Sequence, residues 1–265
     1  MKPSLYVLME TKTGTEKLAE ALLLRGFPVE VKQDFITLRN GSTHDYAQLK
    51  SFLETLNIPV FWNGGQFQLL TNRFPLQMMK KIIEFRGREH RIHMEGYHFK
   101  WRSFVNRRYG IRTNTTDLCP YTAIMVKALN EAGIVTLSGC NGHSHHSPNF
   151  KLSGIYHGIW FSLIQQQYMK DLSLHYQWKV EYTRGATQSA ILANKPSDER
   201  WEMKKVLADC FQMANVLFTH AGEIRDWKAQ SFKRSMKQFV EPLRESGDVA
   251  GVYDWMRGVA GVGKR

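Results

Sequence analysis

The chain predicts an α+β protein, and three observations carry that reading. Short apolar or alternating runs are bounded by Gly, Pro and Asn, as strands are. Between them lie segments with apolar residues near a 3.6-residue period. Past Pro196 the strand signals stop and helical periodicity takes over. At 265 residues the chain is long enough for one large domain or two small ones. Hydrophobic residues make up 43% and aromatics 12%, which excludes a mainly disordered chain.

The elements follow in order. Ser4–Glu10 reads as a buried strand, and Gly14 to Gly26 as a helix stopped by glycine. Val29–Leu38 reads as a strand, Asn40-Gly41 as a turn, and Asp45–Leu56 as a second amphipathic helix. Val60-Phe61-Trp62 and Phe67–Leu70 flank Gly64-Gly65, the signal of a hairpin, and Pro75 opens a third helix running to about Phe85. Residues 1–87 therefore predict a small α/β sandwich of ferredoxin-like type. Residues 88–195 form the second predicted domain. Tyr97, Phe99 and Trp101 alternate with polar residues as in a half-buried strand, and Tyr121–Ala132 is a helix stopped by Gly133. Ile134–Leu137 is a short strand whose carboxyl end delivers a glycine-bounded loop, a place where α/β folds put ligands. Phe150–Leu152, His175–Thr183 and Gln188–Ala193 read as strands, and Gly158–Ile164 fits either strand or helix. Residues 196–265 form a helical tail whose start is marked by Ser197-Asp-Glu-Arg. No repeat is visible in the sequence.

The loop is the densest chemistry in the chain. Cys140-Asn-Gly-His143-Ser-His145-His146 places a thiol and three imidazoles within seven residues, all ligands for a soft or borderline metal such as zinc. One short loop rarely wraps a tetrahedron, so Cys119 and His157 are the expected distant partners. No His-Glu-x-x-His motif occurs and no Glu adjoins the cluster to act as general base. Walker and dinucleotide glycine motifs are also absent. Two further uses fit the residues. Gly139 and Gly142 could let backbone amides approach a phosphate, with Lys151 as a donor, or Cys140 could act as a nucleophile with His143 as base. A structural turn with an inert Cys140 is the plain alternative.

The second feature is charge. Lys and Arg number 36 against 24 Asp and Glu, giving a net charge of +12, a field that attracts polyanions. The excess concentrates in Lys80, Lys81, Arg86, Arg88, Arg91, Lys100, Arg102, Arg107, Arg108 and Arg112, opposed by Glu84, Glu89 and Glu95. Phe85, Tyr97, Phe99, Trp101, Phe104 and Tyr109 interleave with these cations. Phosphate contacts plus stacked bases suit such a strip, while the alternation assigns some of the rings to a core.

Asp117-Leu-Cys-Pro-Tyr-Thr-Ala-Ile-Met-Val-Lys-Ala-Leu-Asn-Glu-Ala-Gly-Ile-Val-Thr-Leu-Ser-Gly-Cys-Asn-Gly-His143 resembles the helix, Thr-rich strand and Cys-x-Gly turn of wybutosine-synthesis methyltransferases. It is similar also to small uncharacterised bacterial and phage proteins. The methyltransferases carry Ser-Cys-Ser-Gly-Arg where this chain has Gly139-Cys140-Asn141-Gly142-His143. The resemblance implies a small-ligand or nucleic-acid loop over residues 138–146.

These readings converge on a basic nucleic-acid-binding protein, for DNA or RNA, with a metal or ligand site in the Cys140–His146 loop. Two alternatives stand beside it: a non-enzymatic inhibitor or scaffold for an acidic protein partner, and a metal-dependent hydrolase or methyltransferase acting on nucleic acid. The residues leave open whether the chain is an enzyme. Three scattered cysteines and short apolar runs point to reduced thiols, no membrane span and a cytoplasmic location.

Overall fold

The computed structural model describes residues 12–39, 43–87, 100–106, 114–182, 188–195 and 200–262. It confirms the α+β class, and its helices and two four-stranded antiparallel sheets fall into two compact units. Met1–His90 with Thr113–Lys127 forms the first, and Arg91–Arg112 with Ala128–Arg265 the second. The Ser4–Glu10 strand, the Asn40-Gly41 turn and the Ser197–Glu199 part of the capping sequence lie outside the described residues.

In the first unit, α1 (Gly14–Arg25) starts on a capping box. The Thr13 side chain accepts from Glu16 N, and the Glu16 carboxylate accepts from Thr13 N, so two helix-end donors are satisfied. The helix ends on Gly26 at φ 106°. Gly26 N donates to Leu23 O and Phe27 N to Leu22 O, a Schellman closure with the buried Phe27 ring just beyond it. Then come β1 (Val29–Lys32) and β2 (Phe35–Leu38), α2 (Thr43–Thr55), β3 (Val60–Asn63), β4 (Gln66–Leu69) and α3 (Leu76–Glu84). The sheet order is β1-β2-β4-β3, every neighbour antiparallel. Among the described residues the order of elements is thus αββαββα.

Val29–Leu38 is a hairpin, where the sequence predicts one strand. Its turn is Gln33-Asp34, with φ of 48° and 67°, the two left-handed residues that a type I′ turn needs. Neither is glycine, so the usual signal is missing. Gly64-Gly65 does form the expected turn between β3 and β4. Val29, Ile36, Leu38 and Phe67 are buried on one face of this sheet. The opposite face carries a polar row in register, Glu30–Thr37–Gln66–Asn63.

Arg25 ties this unit together. Fully buried, it donates to four carbonyls, those of Phe85, Thr115, Thr116 and Leu118, at 2.8–3.1 Å. Burial lowers its pKa to about 10, opposed by the nearby Cys119 and Asp117.

The second unit repeats the plan. The last turn of α5 (Ala123–Glu131) ends on Gly133 at φ 79°, with Gly133 N donating to Asn130 O and Ile134 N to Leu129 O. These are the offsets found at Gly26. Next come β5 (Thr136–Cys140), β6 (Asn149–Leu152), α6 (Ile155–Tyr168), β7 (Gln177–Tyr182), β8 (Ser189–Asn194) and α7 (Met203–Thr219). The sheet order, β5-β6-β8-β7, is the order of the first sheet. The architecture is duplicated although the sequence betrays no repeat. Gly158–Ile164, ambiguous in sequence, is helix within α6. Gly158 lies so close to β8 that an added Cβ would fall 2.4 Å from Ser189 Oγ.

Trp101 does not continue a strand. It begins α4 (Trp101–Asn106) and is wholly buried. Its ring meets Tyr156, Phe232 and Trp255 edge-on at 5.2–5.6 Å, and its backbone N–H donates to the Glu241 carboxylate at 2.8 Å. The tail folds as α7, α8 (Ala221–Ser231), α9 (Lys237–Glu245) and α10 (Val249–Ala260). Asp209 on α7, fully buried, accepts from His175 N, Tyr176 N and Trp178 Nε1 at 2.7–3.0 Å, which docks α7 on the start of β7. Among the described residues no helix is long and apolar enough to cross a membrane.

Candidate functional site

The Cys/His loop is the connection of the β5–β6 hairpin. The last register pair is Cys140↔Asn149, so eight residues, Asn141–Pro148, join the strands where the first unit uses only Gln33-Asp34. The neighbouring strands are antiparallel, so the loop is not a ligand site at the carboxyl end of parallel strands, as the sequence suggests; its position follows from a hairpin insertion.

The end of the loop serves the sheet. Ser147 Oγ donates to Ala193 O, and Ala193 N donates to Pro148 O at 3.0 Å, prolonging the β6–β8 ladder. The residues before it make a compact local turn. Asn141, 1% exposed, accepts from His143 N at 2.9 Å, and Gly142 O accepts from the amides of His145 and His146 at 3.0 and 2.8 Å. Gly142, His143 and Ser144 have φ of 73°, 50° and 66°, three left-handed residues in succession. A non-glycine residue pays about 1–2 kcal/mol for that conformation, so His143 and Ser144 are held against their preference.

The four predicted metal ligands separate into two pairs. Cys140 Sγ lies within 4.8 Å of a His143 ring nitrogen. Gly142 N donates to Cys140 Sγ at 3.4 Å. His145 and His146 are exposed and do not converge on this pair; within the second unit no third described ligand completes a group with it. Of the two distant partners expected from sequence, Cys119 belongs to the first unit. His157 is in the core, 2% exposed, with Nδ1 accepting from Val135 N at 3.3 Å and its ring edge-on to Phe104. That role anchors β5 to α6 and takes His157 out of the predicted ligand set.

Cys140 also begins a row across the outer face of the second sheet. Strand alternation puts Phe150, Leu152, Ile191, Ala193 and Trp178 in the core, so their neighbours face outward. The register gives Cys140–Asn149–Leu192–Lys179 and, beside it, Ser138–Lys151–Ala190–Glu181. Ser138, Lys151, Lys179 and Glu181 are exposed. Lys151 and Lys179 enter no ion pair among the described residues. In sequence, Lys151 reads only as an anion donor beside the loop, and Lys179 carries no such signal. The signal for both was the alternation of β6 and β7, which sends every second residue outward.

The predicted basic strip is described in part. Lys80 and Lys81 on α3 and Arg86 just past it are exposed in the first unit, and Lys100 and Arg102 are exposed in the second. Lys80, Lys81, Lys100 and Arg102 enter no ion pair among the described residues. Arg88, Arg91, Arg107, Arg108 and Arg112 lie outside the described residues, as do Tyr97, Phe99 and Tyr109. Of the interleaved rings, Trp101 and Phe104 are core and cannot stack on a base, and Phe85 packs edge-on to Phe52 at 5.0 Å.

No family model, curated protein or solved structure matches the chain significantly.

Proposed function

We propose that the protein binds nucleic acid through exposed cations, with the outer face of the second sheet as a principal contact surface. The observation that carries this reading is a set of exposed cations without carboxylate partners among the described residues: Lys80, Lys81, Lys100, Arg102, Lys151 and Lys179. An unpaired surface cation keeps its full charge for a phosphate, whereas an internally paired one must first break its own contact. On the second sheet the cations stand among Gln177, Asn149 and Asn194, in register across three strands. Amide side chains donate and accept hydrogen bonds, the chemistry by which sheets read base edges and sugars. The net charge of +12 supplies the long-range attraction.

Fluorescence anisotropy with short DNA and RNA probes between about 50 and 200 mM salt tests this, because each neutralised phosphate contributes a slope of about 0.9 in log K against log salt on duplex DNA. Lys151→Glu with Lys179→Glu is expected to lower the slope by about two. Binding that is absent, or indifferent to salt, would remove the proposal.

A further inference from the structure

We infer that the Cys140–His143 turn is a binding site for a soft or borderline divalent cation, zinc being the natural occupant, built as an insertion on one copy of a duplicated frame. The first hairpin closes with two residues and the second with eight, so closure explains only a fraction of the loop. Ser147 and Pro148 work for the sheet. Gly142–His146 is closed locally, Gly142 O accepting from the amides of His145 and His146.

What this segment achieves is to bring one thiol and one imidazole together. The left-handed stretch Gly142–His143–Ser144 folds the chain back so that His143 approaches Cys140, and Asn141 fixes the His143 amide. Thiolate and neutral imidazole are the donor pair zinc prefers. Binding would displace the thiol proton to solvent, and the Gly142 N–H already aimed at Sγ supports the resulting charge. Two ligands of the turn occupy two positions. The rest fall to donors outside it, and water or a phosphate oxygen can take one, as at zinc sites with an open position. The imidazoles of His145 and His146 stand outside the site, a distinction that the sequence cluster alone did not make.

This inference does not rest on nucleic-acid binding. The test titrates cobalt(II), a spectroscopic stand-in for zinc, into the metal-free chain of 265 residues. Near-ultraviolet thiolate-to-cobalt charge transfer saturating at one equivalent is expected. Cys140→Ser should abolish the band, and His143→Ala should weaken cobalt binding at least tenfold, while the His145→Ala/His146→Ala double variant keeps both. Circular dichroism of each variant separates loss of the site from loss of the fold. No charge-transfer band, a band unchanged in Cys140→Ser, or equal effects of the His143 and His145/His146 changes would overturn the site. Salt-dependent probe binding measured on the same variants keeps the two readings apart: an intact salt slope without cobalt binding sinks the metal site alone.

Discussion

Lys228 offers the sharpest test of the packing. On α8 it is 6% exposed; its ammonium donates to Gly133 O at 3.0 Å and lies 4.1 Å from the centroid of the Phe104 ring. No carboxylate pairs with it among the described residues. The neighbouring cation Arg225 bonds to Glu131 O. Burial therefore lowers the Lys228 pKa from the usual 10.5 to about 7. At 1.36 kcal/mol per unit, holding this lysine charged in the fold costs about 5 kcal/mol, and about 4 kcal/mol at pH 7, where half of the folded molecules have already lost the proton. Lys228→Met removes that cost but leaves the Gly133 carbonyl without its donor, a loss of about 1–3 kcal/mol. The expected net effect at pH 7 is a stabilisation of about 2 kcal/mol. Because the folded pKa is depressed, the unfolded chain binds more protons between pH 7 and 10.5, so wild-type stability must rise through that window. Urea unfolding at several pH values reads both effects. The wild type should gain about 4 kcal/mol on going from pH 7 to 10.5 relative to the Met variant. Parallel curves for the two proteins would show that the amine is not desolvated, and the packing around Phe104 would have to be redrawn.

Other substitutions probe other joints. Arg25→Met strands four carbonyls that the guanidinium serves and should cost about 3–5 kcal/mol in denaturant unfolding. Asp209→Leu leaves the amides of His175 and Tyr176 and the Trp178 indole without an acceptor and should cost about 3 kcal/mol, with a shift in tryptophan fluorescence of the folded state. Gln33→Asn with Asp34→Gly gives the first hairpin the residues its left-handed turn favours and should raise stability by about 1 kcal/mol, read from the thermal midpoint.

Sequence and structure agree where a local rule acts alone. Gly26 and Gly133 mark helix ends, and Gly64-Gly65 marks a hairpin; each is decided by φ preference or a single hydrogen bond. Trp101 reads wrongly because its place is set by partners distant in sequence, Tyr156, Phe232, Glu241 and Trp255, and alternation over three rings carries no information about them. Gln33-Asp34 is missed because its tight turn uses residues that merely tolerate positive φ. At the site, the residue types were legible and their arrangement was not. Four adjacent ligand-type side chains read as one cluster, and backbone geometry divides them.

The duplication explains why that division matters. From Ala21-Leu22 to Gly26-Phe27 and from Ala128-Leu129 to Gly133-Ile134 the chain keeps one spacing and one pair of closing hydrogen bonds, so the strand after each helix starts from the same local geometry. Beyond that point the two copies face different demands. The first returns at once and spends its outer face on Glu30, Thr37, Gln66 and Asn63, with Glu30 drawn into contact with Lys32 and Arg39. The second extends β5 to Cys140, inserts the histidine turn, and leaves Lys151 and Lys179 without such partners among the described residues. The frame can carry this difference because hairpin ends contribute little to the core: Phe150, Leu152, Ile191 and Trp178 hold the sheet whatever the turn contains. A strained, ligand-rich loop and unpaired cations on the same sheet are poor choices for stability alone, and both are concentrated in one copy.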